Sequence, residues 1–263
     1  MFPETTGSEK AIMEQNAYLT RIGIDSERIK VLPTKKFLIN LQQSHMLSVP
    51  FEDLDIPLRR IELDLRKFYT KIVLGLRGGF CYELNGLFHW LLTSLGFHAN
   101  MVSARVFNKQ TNQFGPEFDH MALLVTLEKE YLVDVGFGDS FRSPIQMPDG
   151  QTEDVSGIYR VISVENGAFE LQKKEENSWG PLYRFSRKPM SLAAFGEMCN
   201  YQQDNPASHF RTRMLCTIAT PTGRITLSDN SLTITEGAAK SKVDLQNEDE
   251  FYAMLLKYFN IAH

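Results

Sequence analysis

Cysteine is scarce in this chain, with three in 263 residues at positions 81, 199 and 216. That is too few and too scattered for a disulfide framework or a zinc site. Positive charge is also short: 28 Lys and Arg against 32 Asp and Glu leave a net charge of -4. A nucleic-acid partner therefore has no electrostatic footing. No apolar run approaches the ~18 residues that a membrane span needs. The opening Met1-Phe2-Pro3-Glu4-Thr5-Thr6 lacks the basic-then-apolar profile of a secretion signal. Internal repeats, low-complexity tracts and long linkers are missing too. The expectation is a cytoplasmic enzyme or binding protein with no metal, nucleic acid or membrane. At 43% hydrophobic and 23% charged, the chain is ordinary globular protein, long enough to bury a full core and keep a cleft.

Periodicity divides the chain. Residues 1–97 read as helical: a helix ending at Gly23, a second opened by Thr34 as N-cap and stopped before Pro50, and a third capped by Asp64. From His98 the pattern turns to period two and short apolar runs. Strands are expected over Met101–Phe107, His120–Leu127 and Tyr131–Val135, with a further hairpin across Glu165-Asn166-Gly167. Ser191 is expected to cap a short helix through Met198. Short strands follow around 213–219, 224–227 and 232–235, and Asn247 with Glu250 opens a last helix. The fold class expected is α+β.

The chemistry concentrates in Arg77-Gly78-Gly79-Phe80-Cys81-Tyr82-Glu83-Leu84-Asn85-Gly86. Leu84, Leu87, Phe88, Leu91, Leu92 and Leu95 repeat at helical spacing, and Gly96 stands where a C-cap glycine belongs. Cys81 thus falls at a helix N-terminus, after a glycine pair expected to turn the backbone sharply. Unpaired N–H groups and the helix dipole there are expected to lower the thiol pKa. A lone cysteine beside an apolar helix is more often a small buried hydrophobe, so partners decide the matter.

Of six histidines, His89 lies within the cysteine helix, His98 follows its cap, and His263 is terminal and expected in solvent. His120 differs, since it opens the apolar strand Met121-Ala122-Leu123-Leu124-Val125. Asp134 sits within Tyr131-Leu132-Val133-Asp134-Val135-Gly136-Phe137-Gly138, where a buried carboxylate needs a partner. The hairpin between the two strands brings Asp134 roughly opposite His120. Cys81, His120 and Asp134 are then a nucleophile, a base and an orienting acid.

These residues resemble the arylamine N-acetyltransferase family, whose signature is RGG-x-C-x-E-x-N, a histidine near 40 residues on (here 120 − 81 = 39), and D-V-G-F-G. Tyr18-Leu19-x-Arg21-Ile22-Gly23, Val49-Pro50-Phe51-Glu52, Asn205-Pro206-x-Ser208-x-Phe210 and Leu215-Cys216 to Gly223-Arg224 extend the likeness over most of the chain. Asp53 stands where the family usually has Asn, and the Ser-Thr-Gly of some members is missing before His120.

The resemblance implies three parts around a transglutaminase-like cysteine-enzyme core. They are a helical bundle (1–97), a central antiparallel β-barrel (98–200) and a C-terminal α/β lid (201–263). It implies acetyl-CoA as donor, arylamines or arylhydrazines as acceptors, and O-acetylation of N-hydroxyarylamines. It further implies that Arg77 pairs with Glu52 to brace the site, that Phe51 and Phe137 line the acceptor pocket, and that Gly136, Tyr201 and Ser208 lie near coenzyme A. Phe80 is expected in the apolar wall with Phe51 and Phe137. The Cys-His-Asp order is shared with cysteine hydrolases and transglutaminase-like enzymes, which need no coenzyme A. A non-enzymatic binding module with a vestigial site is a third reading.

Overall fold

Local signals set the helical end. In a computed structural model describing residues 12–25, 27 and 32–262, the first elements are α1 (Gln15–Arg21), α2 (Lys35–Ser48), β1 (Phe51–Glu52), α3 (Leu65–Tyr69) and α4 (Cys81–Ser94). His263 lies outside the described residues. Thr34 Oγ1 accepts the Phe37 N–H at 3.3 Å, and Asp64 Oδ1 accepts those of Arg66 and Lys67, so both expected caps form. A π-helical turn, Thr70–Leu74, continues α3. Gly96, at φ +85°, closes α4 while the Phe97 N–H returns to the Leu92 carbonyl, the left-handed helix end that glycine permits.

The middle of the chain is antiparallel sheet: β2 (His98–Asn108), β3 (Gln113–Phe114), β4 (His120–Thr126), β5 (Glu130–Val133), β6 (Ile145–Met147), β7 (Gln151–Asp154), β8 (Gly157–Ser163), β9 (Phe169–Lys174) and β10 (Trp179–Met190). Their order is β6-β5-β4-β2-β10-β9-β8-β7, with β3 paired to β2, and β6 returns to contact β7 and β8 so that the sheet nearly closes into a barrel. The inward residues Val102, Ala104, Leu124, Leu132, Phe141, Tyr159, Leu171 and Tyr183 form its core. α4 packs on β2 and β4, joining the helices and the barrel face through a second core.

The last elements are α5 (Gly196–Asp204), α6 (His209–Thr212), β11 (Leu215–Thr220), β12 (Gly223–Ser228), β13 (Ser231–Glu236), β14 (Ala239–Asp244) and α7 (Glu248–Phe259). Ser191 makes no side-chain cap; a 3-10 turn over Leu192–Phe195 leads into α5 instead. The Asn247 cap on Glu250 N forms at 2.9 Å. The second sheet runs β1-β11-β12-β13-β14, with Phe51 opposite Thr217 and Glu52 opposite Cys216. A strand from the helical part is therefore the edge of the C-terminal sheet, and it joins the two ends of the chain.

His45 on α2 is wholly buried between Tyr18 and Phe88, with neither ring nitrogen partnered. Burial, helped by the charge of Arg21, lowers its pKa to about 3. The folded state therefore keeps it neutral, while the unfolded chain takes a proton below pH 6.5. Stability is full above pH 6.5 and falls as pH drops toward 3, by about 2 kcal/mol between pH 6.5 and 5. Urea titrations should show that His45→Phe flattens this decline.

Candidate active site

The start of α4 is seated by close backbone approach. Glu52 N–H donates to the Gly79 carbonyl at 3.0 Å, and Gly79 forms a parallel bridge with Phe51. A Cβ on Gly78 would lie 2.1 Å from the Pro50 carbonyl oxygen, and one on Gly79 would lie 2.8 Å from Glu83 Cβ. Neither glycine has a positive φ. The pair is thus required by lack of space, Gly78 against Pro50 and Glu52 and Gly79 against Glu83 of α4, and not by a positive-φ turn. Glu83, three residues into the helix, accepts the Phe80 N–H at 3.1 Å, the acidic half of a capping box.

Beneath this turn lies a buried ion cluster. Arg77 Nη2 binds Glu52 Oε1 at 2.9 Å and Asp55 Oδ1 at 3.1 Å. Lys71, delivered by the π-helical turn, reaches Glu83 at 2.9 Å, Asp55 at 3.0 Å and Glu52 at 3.4 Å. The Arg77–Glu52 contact is the one the family resemblance implied; the parts of Lys71 and Asp55 had no signal in the sequence. Burial, augmented by the Glu52 charge, raises the Glu83 carboxyl to about 7, although Lys71 opposes the rise. Arg21 holds the connecting loop by donating to the carbonyls of Ser48, Ile72, Leu76 and Arg77.

Cys81 is the first residue of α4 and 4% exposed. His120 opens β4, and Asp134 is the first residue beyond the end of β5 rather than inside it. His120 Nε2 and Asp134 Oδ2 are 2.7 Å apart, both buried. Asp134 accepts three further hydrogen bonds: Tyr183 OH at 3.0 Å, Asn85 Nδ2 at 2.9 Å and Gly136 N at 2.9 Å. These donors and the His120 charge hold its pKa below the usual carboxylate value despite full burial. With Nε2 committed to the acid, Nδ1 is the ring nitrogen left for another partner. The Met121 N–H, next along β4, reaches the thiol itself.

Burial pushes the Cys81 thiol well up, and the charge of Asp119 adds to this; only the Met121 N–H pulls it down. The helix terminus does not make a freely acidic thiol here. At such a depth a thiolate needs a counter-charge beside it, which a neighbouring imidazolium would supply.

Asn85 and Tyr183 carry roles that sequence reading missed. Asn85 lies one turn after Cys81 and donates to Asp134 and to the Met121 carbonyl (2.7 Å), while accepting the Val135 N–H at 3.0 Å. Its place in the Cys81 motif, four residues on and so on the same helix face, was the available signal. Tyr183 comes from β10, and one tyrosine in a strand reads as core. Gln42 of α2 supports the acid from behind, donating to the carbonyls of Asp134 and Phe141.

Phe137 packs edge-on against His120, ring centroids 5.1 Å apart, and against Tyr183. Phe51 is buried in β1; a Cβ on Gly138 would touch Thr217 and approach Phe51 at 4.0 Å. Phe80 is wholly buried and packs on Tyr82 and Phe210, so it supports the site from the core. Tyr201 is 44% exposed on α5, whereas Ser208 is buried and donates to Gln202 Oε1 at 3.0 Å. Gly136 lies directly against the nucleophile: a Cβ there would meet Asn85 Nδ2 at 2.7 Å and Cys81 Cα and O at 3.0 Å. Gly136→Ala should therefore displace the helix start and lower kcat by roughly 10²-fold. Steady-state kinetics alongside a thermal melt checks this.

Among the described residues no helix is long and apolar enough to cross a membrane. The N-acetyltransferase family model matches residues 36–262. The chain is similar to mouse arylamine N-acetyltransferase 2, at 31% identity over 95% of this chain and 94% of that protein. It is also similar to the solved arylamine N-acetyltransferase of Salmonella typhimurium, with 28% identity, a TM-score of 0.86, and coverage of 94% and 90%. The Mycobacterium marinum arylamine N-acetyltransferase solved in complex with CoA is similar at 26% identity and a TM-score of 0.85, covering 94% of this chain and 93% of that one. The chain belongs to the arylamine N-acetyltransferase family.

Proposed function

We propose that this protein transfers the acetyl group of acetyl-CoA to arylamines and arylhydrazines, and to the oxygen of N-hydroxyarylamines, through an acetyl-thioester on Cys81. The observation that carries the reading is the buried His120–Asp134 pair, with Nδ1 uncommitted, beside a cysteine that begins a helix. Family membership and the CoA complex of the mycobacterial relative support the donor.

The residues suit the chemistry. His120 takes the thiol proton at Nδ1, and the Cys81 sulfur attacks the acetyl carbonyl carbon. The Cys81 N–H, a first-turn amide with no intrahelical partner, faces the developing oxyanion. Breaking the C–S bond releases coenzyme A as its thiol, with the proton returned by His120. One thioester replaces another, so the acetyl group keeps its reactivity for a weak nucleophile. An arylamine is neutral at pH 7 and attacks directly, and His120 takes the proton that develops on nitrogen. Phe137 and Phe51 form the apolar wall against which an aromatic acceptor lies. Gly136 lets its backbone close directly on Cys81, and Tyr201, exposed on α5, borders the donor's path while Ser208 braces Gln202 behind it. Exclusion of water by these walls protects the thioester from hydrolysis. The three unpaired cysteines suit a cytoplasmic setting.

Initial-rate kinetics with acetyl-CoA and a panel of simple arylamines and hydrazines tests the reading. Parallel double-reciprocal lines and release of coenzyme A with each acetylated product are expected. Amide or peptide cleavage without coenzyme A, and no transfer, would establish the hydrolase reading instead.

A further inference from the structure

The residue before the catalytic histidine is a second carboxylate that the mechanism above does not use. Asp119 Oδ1 accepts from Gln202 Nε2 at 2.9 Å, and Gln202 Oε1 accepts from Ser208 Oγ at 3.0 Å. Gln202 and Ser208 are each 3% exposed, so this chain of bonds runs inside the protein from α5 to the start of β4. Asp119 Oδ2 is folded over Gly115, where a Cβ would lie 2.5 Å away. The loop is held on the other side by Tyr82 of α4, whose hydroxyl donates to the Phe118 carbonyl at 2.6 Å. The carboxylate is therefore fixed by α5 and α4 together, one residue from His120 and two from the amide that reaches the thiol. The titratable groups facing it are Cys81 and Tyr82 of α4, His120 of β4 and His209 of α6. Among the described residues no lysine or arginine forms an ion pair with it, in contrast to the acids of the cluster below α4.

We infer that Asp119 is a positioning residue for the Cys81–His120 pair, setting the pH window in which the thiolate and imidazolium coexist. The inference rests on the ion-pair reading of the site. A negative charge at this place opposes ionisation of the thiol and favours protonation of the imidazole, so it moves both limits of the window to higher pH. Burial raises the Asp119 carboxyl, and the charges of His120 and His209, a backbone hydrogen bond at Val106 and the Gln202 hydrogen bond together oppose the rise. The lid residue Gln202 thereby helps keep the charge in place.

The test is the pH dependence of Cys81 alkylation by iodoacetamide, read by intact mass, with Cys81→Ala as blank. Asp119→Asn keeps the shape and the acceptor for Gln202 while removing the charge. It should move both limbs of the profile down by on the order of one pH unit. Gln202→Ala, which weakens the carboxylate's hold on its charge, should move them the same way by less. Limbs at their wild-type positions in either folded variant would overturn the inference while leaving the ion pair intact. A wild-type thiol that resists alkylation from about pH 5 to 10 would overturn both the ion pair and this inference.

Discussion

Replacing Asp134 with asparagine should lower kcat by about 10⁴-fold with the fold intact. The magnitude is that measured for the equivalent change in a serine-protease triad. The physical reason is a reversed hydrogen bond. Asp134 Oδ2 accepts from both His120 Nε2 and Tyr183 OH. An amide nitrogen in that position donates, so Nε2 must become the acceptor and the imidazole proton moves to Nδ1. The nitrogen meant to take the thiol proton then already carries one. The alternative rotamer places the amide nitrogen against the donors Asn85 Nδ2 and Gly136 N, which has no acceptor to offer. Single-turnover acetylation measures the effect, and circular dichroism checks the fold. A loss below tenfold would mean that the acid does not set the tautomer.

The second large effect is on stability. Lys71→Met should destabilise the protein by roughly 3–5 kcal/mol, the range for breaking a buried ion pair from one side. Lys71 and Arg77, with Arg59 reaching Asp55 from the surface, hold Glu52, Asp55 and Glu83 together under α4. Without Lys71 all three carboxylates lose a partner away from water, and Arg77 still reaches only Glu52 and Asp55. Because the Glu83 carboxyl is already raised to about 7, it relieves the excess charge by binding a proton at lower pH. The penalty should thus be larger at pH 8 than at pH 6. Urea unfolding at the two pH values reads both points. A change under about 1 kcal/mol at pH 8 would show that water enters the cluster.

Much of this arrangement was legible before any coordinates. The repeat from Leu84 to Leu95 specified α4, and Thr34, Asp64 and Asn247 announced helix starts because capping is a local contact between residues two or three apart. The His120–Asp134 contact was legible because a histidine opens one apolar strand and a carboxylate follows the next. What escaped has a common cause, namely contact between distant segments. β10 carries Pro181 and Pro189, which argue against a strand, yet its register shifts beside both prolines accommodate them. Tyr183 was lost with it. β14 has no buried residue to pattern its sequence. Lys71 depends on a π-helical turn that no short-range rule announces. The direction of the Cys81 pKa also depends on depth of burial, which is settled only by what packs over it.

The central claim is that one sulfur atom receives the acetyl group. Intact-mass analysis after brief mixing with acetyl-CoA, with no acceptor present, measures it directly. The account predicts a single acetyl group on the wild-type chain, mapped to Cys81, removed on adding an arylamine, and never formed on Cys81→Ala. Equal labelling of Cys81→Ala, or a wild-type chain that stays unlabelled, would contradict it.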